Sequence, residues 1–535
     1  MKHLMTDVIL IGYGPVSRVL CALLGEQGHH VTVLERHPYA YPLPRAVCMD
    51  HEIHRALHAH YCLANFDSFA APSPRYQWMN QHWETLIDID WTVDSISGGP
   101  QAYFFHQPSL EKALDSRVRS FSNVSVMLEH EAKTFSQTTD GVSVTAVNTP
   151  TGEEMLITGR YLIGADGANS AVRNALGIAW EDRGFQADWL VVDVQLNSGV
   201  ELDIPAAGQH CNPERPTTFV PGGLVNGRPL RRWEIMRLPH ETREQLDDTD
   251  YVWGLLNRWV QRDQATLLRH AVYTFRSLVA QQWRDNNIFL VGDAAHTMPP
   301  FMGQGMCSGI RDALNLGWRL NMVLQNKASE ELLDHYEIER KSHITEVIDA
   351  SVYLGEIVCV ADPIKAAARD KAFVEGTHPP MAPFPHLREG TLGGGNEALL
   401  GRLAPHCTVH RGKETGSMDQ LVGGGFSLLV REKSILAALS AEHRKFLESI
   451  NAKVAYLAAA NETTDPHAIF DPSDKLPGYF AEHGLDAILV RPDFYIFATA
   501  ASPDDLGRMV SSLRDVFSPP TVVLQTGCSG LRAAI

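Results

Sequence analysis

The chain has 535 residues, of which 44% are hydrophobic, and a formal net charge of −17. A chain of this size is expected to bury a large core and to divide into two or three domains. The acidic balance argues against a nucleic-acid partner, since phosphate binding needs a basic surface. No apolar run is long enough to span a membrane, and eight cysteines without Cys-x-x-Cys spacing indicate neither a disulfide framework nor a metal site, so we expect a cytoplasmic protein.

A dinucleotide-binding pattern opens the chain. An apolar run predicts a strand, Gly12-Tyr-Gly14-Pro-Val-Ser17 leads from it into a helical pattern, and residues 31–35 predict a second strand that ends in Glu35. Glycines let the backbone approach a pyrophosphate, and an acid about twenty residues later binds a ribose diol. Ser17 replaces the third glycine and is small enough for close packing. The pattern leaves NAD and FAD open, and a solvated strand end is the alternative for Glu35.

A second strand, turn and helix follows at residues 160–173. The apolar run before Gly164 predicts a strand, and Asp166-Gly167 then turns towards a helix that carries Arg173. We expect Asp166 to contact the cofactor near its pyrophosphate, with capping of the following helix as the alternative. Strands predicted at 124–128 and 142–147 complete this part of the chain.

A separate sheet is predicted between about residues 180 and 280. The strand-like stretches lie at 189–196, 217–220, 231–238 and 272–275. We expect the sheet to lie over the cofactor and to form a substrate pocket between the domains. Side chains alternate along a strand, so only some aromatic and Met residues of this sheet can face the pocket. Arg231 or Arg232 is a candidate partner for a substrate carboxylate, with solvated surface as the alternative.

The stretch from Ile288 to Trp318 is the most informative. An apolar strand leads into Asp293, then into a turn with two prolines and several glycines, and then into a helix whose first turn has little side-chain bulk. Such a helix start presents free N–H groups and partial positive charge to a phosphate-bearing or polyol cofactor. Asp293 follows an apolar run, so we expect it to be buried and to accept a hydrogen bond from a ribityl hydroxyl. A plain NAD dehydrogenase has no use for this second site, which favours FAD.

The rest of the chain forms a further unit. A helical pattern runs through residues 331–340 towards 354, and a Pro- and Gly-rich boundary lies at about 376–395. Beyond it, strands are predicted at 425–430, 452–457, 487–490 and 494–497, the last two joined as a hairpin. No internal repeat is present.

Three ordered motifs resemble those of one flavoprotein family. They are Gly12-x-Gly14, Gly164-Ala-Asp166-Gly167, and Gly292-Asp293-Ala-Ala-His296 with Pro299-Pro300 and Gly303-Gln-Gly305. They resemble the class A flavoprotein aromatic hydroxylases of the p-hydroxybenzoate hydroxylase fold. Phe301-Met-Gly-Gln-Gly305 followed by Ser308-Gly-Ile-Arg-Asp312 is similar to the 3-(3-hydroxyphenyl)propionate hydroxylase-like members. The specific motifs lie within roughly the first 350 residues, and the likeness of the remainder is looser.

The resemblance implies an α/β fold with interleaved domains. A Rossmann-like FAD-binding domain is expected at residues 1–180 and again, with a helical segment, at 281–385. A β-sheet substrate domain is expected at 181–280 and a thioredoxin-like α/β domain at 396–535. The last domain has Cys407 and Cys528 far apart, so a structural or dimer-forming role is expected instead of redox activity.

The resemblance also implies the reaction. FAD, reduced by NADH or NADPH, takes up O2 to form a C4a-hydroperoxide, and its distal oxygen is transferred to the ring of a small phenolic substrate. A flavin oxidase or dehydrogenase, and a tailoring monooxygenase of a polyketide or alkaloid phenol, are alternatives on the same fold. Neither a nucleic acid nor a membrane is expected as partner, and a homodimer is left open.

Catalytic residues and several cofactor contacts, such as Arg45 and Gln107, are assigned by the same resemblance, whereas Gly12 to Glu35 follow from the dinucleotide pattern and the substrate candidates from the predicted sheet and the loop after it. Pro300 is the catalytic candidate, because in the family its carbonyl lies close to the phenol, and His296 has a supporting catalytic role. Backbone amides from Gly305 to Cys307 are expected to stabilise negative charge on the reduced flavin, and no covalent link from Cys307 is expected. The cofactor-binding candidates are Gly12, Gly14, Pro15, Ser17, Glu35, Arg36, Arg45, Gln107, Asp166, Gly292, Asp293, Pro300, Gly303, Gly305, Met306 and Cys307. The substrate candidates are His210, Phe219, Trp233, Met236, Phe301 and Met302.

Overall fold

The computed structural model describes residues 2–39, 43–73, 75–461 and 465–517. The strands in chain order are β1 Lys2–Met5, β2 Val8–Ile11, β3 Val31–Glu35, β4 Cys48–Asp50, β5 Ala70–Pro72, β6 Arg75–Met79, β7 Thr85–Asp90, β8 Ala102–Phe105, β9 Val124–Leu128, β10 His130–Thr138, β11 Gly141–Asn148, β12 Glu154–Gly159, β13 Tyr161–Gly164, β14 Trp180–Leu196, β15 Gly208–His210, β16 Thr217–Val225, β17 Arg228–Met236, β18 Ala265–Ala280, β19 Arg284–Asp285, β20 Ile288–Leu290, β21 His296–Thr297, β22 Thr408–Arg411, β23 Glu414–Ser417, β24 Ser427–Val430, β25 Lys453–Leu457, β26 Ala468–Ile469, β27 Ala487–Val490 and β28 Ile496–Ala500.

The α-helices are α1 Pro15–Glu26, α2 His51–Ala59, α3 Gln107–Arg119, α4 Ala171–Ala175, α5 Arg243–Leu246, α6 Thr249–Leu256, α7 Gly305–Leu324, α8 Asp334–Val358, α9 Pro363–Val374, α10 Met418–Val422, α11 Ala441–Ser449, α12 Lys475–Glu482 and α13 Pro503–Phe517. Short 3-10 turns lie at Phe66–Ser68, Gly292–Ala294, Pro300–Met302, Glu330–Leu333 and Lys433–Ala438. Within the described part of the chain, none of these helices has the length and apolar character needed to cross a membrane.

A six-stranded sheet forms the centre of the N-terminal part, in the order β19-β20-β13-β2-β3-β9. All neighbours except the β19–β20 pair are parallel. Helices α1 and α3 pack against this sheet, and so do the strands β10, β11 and β12 of a separate four-stranded sheet. Both faces are therefore buried, which explains why β2 and β13 are continuous apolar runs without alternation. The register pairs Ile11 with Leu34 and with Gly164, and Gly164 with Leu290, so four strands end at one edge.

The predicted second sheet is confirmed and is larger than expected. It has eight strands in the order β21-β18-β14-β17-β16-β15-β6-β7 and contains all four predicted stretches. The strands β6 and β7 come from the N-terminal part of the chain and were not predicted to join it. One face, here called the outer face, packs its apolar side chains with those of α6 and the 200–204 segment. The opposite, inner face packs against the Phe301 turn and α8.

The C-terminal unit is a mixed sheet in the order β26-β25-β24-β27-β28 with helices around it. β24, β25 and β26 run parallel, whereas β27 and β28 form the predicted antiparallel hairpin. A thioredoxin-like assignment of this unit stays a prediction. Cys407 is a buried free thiol, and Cys528 lies outside the described residues.

Buried ion pairs join the C-terminal unit to the helices behind the cofactor edge. Glu339 on α8 accepts hydrogen bonds from Arg491 at 2.7 Å and from Arg319 on α7 at 2.5 Å, and the side chains of all three are fully buried. Burial alone raises the pKa of Glu339, but the charges of Arg319 and Arg491 bring it down to about 2. The carboxylate therefore stays ionised, as a buried charge does when it is paired on both sides.

Candidate functional site

Four loops meet at the carboxyl edge of the six-stranded sheet. They follow β2, β3, β13 and β20, the strands whose register brings their ends level. The cofactor site of a doubly wound sheet lies at this kind of edge. The chain segments that contribute the loops are separated by as many as 280 residues, yet their backbones are in contact here.

Gly12 shows how close this contact is. Its φ is +97°, and a Cβ at this position would lie 2.4 Å from the carbonyl oxygen of Ala165. Only glycine fits both the conformation and the space. Gly14 then caps α1 without any side-chain hydrogen bond, and Pro15 is the first helical residue. The amides at this helix start are available to a pyrophosphate.

Glu35 lies beside the same turn. Its Oε2 accepts a hydrogen bond from the Tyr13 amide at 3.0 Å, and its Oε1 accepts one from the His37 amide at 2.9 Å. Each carboxylate oxygen keeps acceptor capacity for a ribose hydroxyl. Arg36 is exposed, and its Nε donates to the His37 ring at 3.3 Å.

Ser17 and Asp166 hold buried polar atoms without protein partners. The Ser17 hydroxyl is fully buried at the start of α1 and makes no hydrogen bond in the described structure. Asp166 Oδ2 accepts from the amides of Ala171 and Val172, at 2.7 and 3.2 Å, so the capping alternative is realised on that oxygen. Its Oδ1 is buried and has no hydrogen-bond partner among the described residues. Unsatisfied buried oxygens of this kind indicate a ligand, and a dinucleotide fits them.

The loop after β20 closes the edge from the other side. A Cβ on Gly292 would lie 3.2 Å from Val16 on α1, and one on Gly309 of α7 would lie 2.6 Å from the same side chain. Small residues at these positions therefore bring α1, the 292 loop and α7 into direct contact. The two glycine-rich motifs, near residues 12 and 300, are thus parts of one surface.

Asp293 is not buried by the described residues, and its expected burial against a ribityl chain stays a prediction. The 3-10 turn Gly292–Ala294 directs the Asp293 carboxylate outward. The Asp293 side chain is exposed, whereas both neighbouring residues are buried. A four-residue apolar run places the backbone in the core, but one turn of 3-10 helix is enough to direct a single side chain to the surface. An exposed carboxylate at this edge is accessible to a ribityl hydroxyl.

Both proline carbonyls of the turn already accept a hydrogen bond. Pro299 O accepts from the Ser351 hydroxyl at 2.8 Å, and Pro300 O accepts from the Gly303 amide at 2.8 Å. A carbonyl has two lone pairs, so each oxygen has capacity for one further donor. Gly303 has φ +66°, and a Cβ there would lie 3.3 Å from that of Cys48.

The helix α7 begins at the cofactor edge without a side-chain cap. Gln304 precedes it and makes no capping bond, and a Cβ on Gly305 would meet nothing within 4 Å. Met306 is half-buried, whereas Cys307 is fully buried and its thiol donates to the Cys48 and Gly303 carbonyls at 3.9 Å. Burial raises the pKa of Cys307 well above its ordinary value, so the thiol stays protonated.

His296 belongs to a buried network. Its Nε2 lies 2.7 Å from Asp312 Oδ2, and Arg340 donates to the other oxygen of that carboxylate at 2.9 Å. Burial raises the pKa of Asp312, but the charges and hydrogen bonds of His296 and Arg340 bring it below its ordinary value. Asp312 also accepts from the Gly292 amide at 2.9 Å, so this network fixes the turn that carries Asp293.

Gln107 and Arg45, two of the cofactor-binding candidates, interact with each other. Gln107 Oε1 accepts from the amides of Arg45 and Ala46 at 2.8 and 2.6 Å, and its Nε2 donates to Glu111 at 2.7 Å. The amide of Gln107 therefore shapes the 45–46 loop, whose arginine side chain is exposed.

Three of the six substrate candidates lie on the wrong face of the eight-stranded sheet. Phe219 pairs with Trp233 across β16 and β17, and both pack in the outer cluster with α6. His210 shares their face by register and stacks on Trp83 at 4.3 Å. Sequence alternation identified two classes of position but not which class faces the cofactor domain. The substrate assignment of these three residues is therefore corrected.

Met236, Phe301 and Met302 lie on the inner side. Met236 pairs with Trp189 across β17 and β14, and the Trp189 ring lies 5.5 Å from that of Phe301. Phe301 itself is part of the turn between Pro300 and Gly303. These side chains therefore form an apolar junction between the sheet and the loop that precedes α7.

Charged residues of the inner face pair across strands, and the sequence reasoning missed these pairs although Arg232 was one of its candidates. Arg232 is almost fully buried and binds Asp193 on β14 at 2.7 Å, and Arg269 on β18 binds the same carboxylate at 3.0 Å. Arg232 also donates to the carbonyls of Pro44 and Arg45, at 2.6 and 2.5 Å, and so joins the sheet to the cofactor layer. Arg232 therefore lies neither on a solvated surface nor in a position to pair with a substrate carboxylate. The pairing of Asp193 with Arg232 across adjacent strands became visible only once the register of the strands was known.

Two family models match the chain. One, described as FAD binding domain, matches residues 5–351, and the other, described as HcaD C-terminal domain, matches residues 401–516. A probable NADH-specific resorcinol 4-hydroxylase of Rhodococcus jostii is 33% identical over 96% of this chain and 95% of its own length. A 3-(3-hydroxy-phenyl)propionate/3-hydroxycinnamic acid hydroxylase of Comamonas testosteroni is 29% identical over 96% of this chain and 97% of its own.

Solved structures agree on the fold. The flavin-dependent monooxygenase PieE, in complex with FAD and substrate, superposes with a TM-score of 0.77 at 19% identity and covers 97% of this chain and 100% of its own. Aklavinone-11 hydroxylase, in a ternary complex with FAD and aklavinone, has a TM-score of 0.76 at 22% identity with the same coverage. At these identities the likeness concerns the fold alone.

Proposed function

The chain belongs to the FAD-binding family of flavoprotein aromatic hydroxylases, and we propose that it hydroxylates a small phenol at the expense of NADH. The observation that carries the proposal is the convergence of the Gly12 turn, Asp166 and the Gly292 to Gly305 loops at one sheet edge, directly beneath the inner face of a second sheet. NADH is favoured as the reductant because the resorcinol hydroxylase relative is named as specific for it.

The proposed FAD contacts follow the edge from one end to the other. Glu35 binds the adenosine ribose. The Gly14 amide and the free amides in the first turn of α1 bind the pyrophosphate, while Pro15, which has no N–H, fixes the start of that turn. Asp293 accepts from the ribityl chain, and the uncapped start of α7 stabilises negative charge near the ring. When bound, FAD supplies electron transfer from the nicotinamide cofactor and the activation of O2.

The remaining predicted residues have positioning roles in this proposal. Pro300 offers its second lone pair to the substrate, while Phe301, Met302 and Met236 exclude water from the junction. His296 fixes the turn through Asp312 and does not exchange a proton with substrate, because its Nε2 is already bound to that carboxylate.

A panel of phenols tests the function. Wild-type protein saturated with FAD is mixed with each phenol and NADH or NADPH, and NADH consumption, hydroxylated product and peroxide are measured under labelled O2. We expect phenol-stimulated NADH oxidation with one labelled oxygen in the product. Oxidised product without labelled oxygen would favour the oxidase or dehydrogenase alternative. Turnover only with large polycyclic phenols would favour the tailoring alternative.

We also propose that the chain divides into domains, forms a homodimer and is located in the cytoplasm. The proposed boundaries are 1–180, 181–280, 281–385 and 396–535. Two exposed apolar side chains on α9, Ile364 and Val374, support the homodimer. Sedimentation of wild-type protein and of an Ile364→Ser, Val374→Ser variant tests it, because only the variant is expected to sediment as a monomer.

A further inference from the structure

Glu234 is a carboxyl group on the inner face for which the described residues provide no hydrogen-bond partner. It lies on β17, pairs with Thr218 and Val191, and is 8% exposed. Arg232 Nη1 lies 3.8 Å from Glu234 Oε1, beyond hydrogen-bond distance. That same nitrogen lies 2.5 Å from the Arg45 carbonyl, so Glu234 lies where the sheet meets the cofactor layer.

The cations near Glu234 are already committed elsewhere. Arg232 binds Asp193 and two backbone carbonyls, and Arg269 binds Asp193 and the Tyr273 hydroxyl. In the described part of this face, two arginines therefore meet two carboxylates, Asp193 and Glu234, and the group is neutral as a whole. Arg231 lies on the outer face and donates to the Ala206 carbonyl at 2.6 Å. A substrate carboxylate would find no cation of this group available to it.

A hydrogen-bond donor without a partner lies next to Glu234. Trp189 on β14 is the diagonal neighbour of Glu234, a relation that separates Cα atoms by about 7–8 Å. Its indole N–H is fully buried and has no acceptor among the described residues. Its ring contacts Phe301 of the turn before α7 at 5.5 Å. This arrangement fits a phenolic hydroxyl beside an apolar ring. The carboxylate can accept the hydroxyl hydrogen, and the indole N–H can donate to the hydroxyl oxygen.

We propose that Glu234 accepts the hydrogen of the substrate hydroxyl, that the Trp189 N–H donates to its oxygen, and that the substrate is therefore an uncharged phenol without a carboxylate. The proposal rests on the function proposed above and defines its substrate class. During hydroxylation the phenolic O–H bond would break and its proton would pass to a carboxylate oxygen of Glu234. The electron pair left on oxygen would enter the ring as a ring carbon forms a C–O bond to one atom of O2, whose O–O bond breaks. The second oxygen atom would leave as water with the two electrons of NADH, and the ring carbon would then lose its hydrogen as a proton. Burial raises the pKa of Glu234, with Asp193 adding to this and Arg232 and Arg269 opposing it, which makes the carboxylate a better base.

The wild-type protein tests the substrate class without any mutation. We expect resorcinol and other neutral phenols to be hydroxylated with kcat/KM at least about 100-fold above that of 3-(3-hydroxyphenyl)propionate, the penalty of a buried unpaired charge being that large or larger. A preference for the carboxylate-bearing phenol would overturn the proposal and leave the hydroxylase function intact. Failure of every phenol would instead contradict the hydroxylase function.

The variant Glu234→Gln tests the role of the carboxylate. It is expected to bind FAD as the wild type does but to lose about 100-fold or more in kcat with resorcinol. The loss should shrink steadily for ring-fluorinated and nitro-substituted phenols, because their hydroxyl ionises without help. Glu214→Gln, an exposed carboxylate in the β15–β16 connection, is the matched control and should match the wild type.

A merely structural role predicts a different pattern. In that case Glu234→Gln would lower kcat equally for all phenols, whatever their acidity, and this result would overturn the proposal. If the variant does not fold, Trp189→Phe and the wild-type preference between neutral and acidic phenols still decide it, since a wild type that favours the acidic phenol contradicts the proposal directly.

Discussion

The cofactor edge and the inner face of the eight-stranded sheet are built by opposite means. At the edge, Gly12, Gly292 and Gly309 remove side chains so that backbones touch, and amides at the starts of α1 and α7 are left uncapped. On the inner face, buried side chains such as Arg232 and Asp193 bind one another across strands. The edge is open to a ligand because side chains are absent. The described part of the inner face is closed by paired side chains, with Glu234 and the indole N–H groups of Trp78 and Trp189 left without hydrogen-bond partners.

Under the proposed function, the edge would bind the cofactor and the inner face would select the substrate. Backbone amides and glycines recognise any FAD, so the edge needs little variation between relatives that act on different phenols. A single substitution of an inner-face side chain can instead alter the charge near the substrate ring.

The largest effect is expected for Gly12→Val at the edge. A Cβ at this position meets the Ala165 carbonyl at 2.4 Å in a backbone conformation that valine avoids. We expect complete loss of bound FAD, measured as the ratio of flavin to protein absorbance after purification. Gly28→Ala, whose φ of +85° is strained but whose Cβ meets nothing within 4 Å, is the control and should retain FAD. Normal flavin content in Gly12→Val would contradict the assignment.

The inner face is tested by Arg232→Met. Removing one partner of a buried ion pair leaves Asp193 with Arg269 alone, and we expect the free energy of unfolding to fall by about 3–5 kcal/mol. FAD should also bind more weakly, because the Pro44 and Arg45 carbonyls lose their donor. Denaturant unfolding and FAD titration measure the two effects. Arg228→Met, an exposed arginine at the start of the same strand, should change neither.

Asp293→Asn tests whether the exposed acid of the edge has a ligand. It should leave the stability of the FAD-free protein unchanged, because the side chain is exposed and not part of the core. We expect FAD affinity to fall roughly 10-fold, as for loss of a hydrogen bond to a charged group. Asp263→Asn, which changes an exposed acid in the connection between α6 and β18, serves as the comparison. Equal FAD affinity in both variants would remove Asp293 from the site.

The smallest and most selective effect separates the two faces of the sheet. Trp189→Phe on the inner face should raise KM for a neutral phenol by about 3–10-fold, the value of one hydrogen bond. Trp233→Phe on the outer face should leave KM unchanged and lower stability by about 1–3 kcal/mol. Steady-state kinetics and thermal unfolding of both variants show whether the effects separate. A rise in KM for Trp233→Phe but not for Trp189→Phe would show that the substrate binds on the outer face.

The sequence allowed the prediction of much of the fold, for a physical reason. The strands β2, β13 and β20 are short apolar runs followed by glycine or Asp-Gly turns, and such local patterns identify a parallel sheet and its loops. The C-terminal hairpin was predicted for the same reason, since Pro492 and Asp493 interrupt two apolar runs.

The inner face could not be predicted in the same way. A strand alternates with a period of two residues, so a pattern separates Phe219 from Val220 but does not say which of them faces the cofactor layer. That depends on the partner strands, and β6 and β7 join the sheet from more than a hundred residues away. Glu234 and Arg232 carry no local signal either, because their roles arise only from pairing with β14 and β16.

The exposed position of Asp293 shows a third limit. Hydrophobic neighbours predicted burial, but the turn Gly292–Ala294 directs the carboxylate outward. Local turn geometry therefore decides exposure at the most important loop of the edge. The sequence pattern identified the small residues around it but not the direction of this side chain.

Titration of the flavin-free protein with FAD tests the central claim most directly, namely that two remote glycine-rich segments form one FAD site. The account predicts one noncovalently bound FAD per chain for the wild type, and loss of that binding when either segment is blocked, by Gly12→Val or by Gly292→Val. Full FAD binding in one of these two variants, or wild-type protein that remains colourless after incubation with FAD, would contradict it.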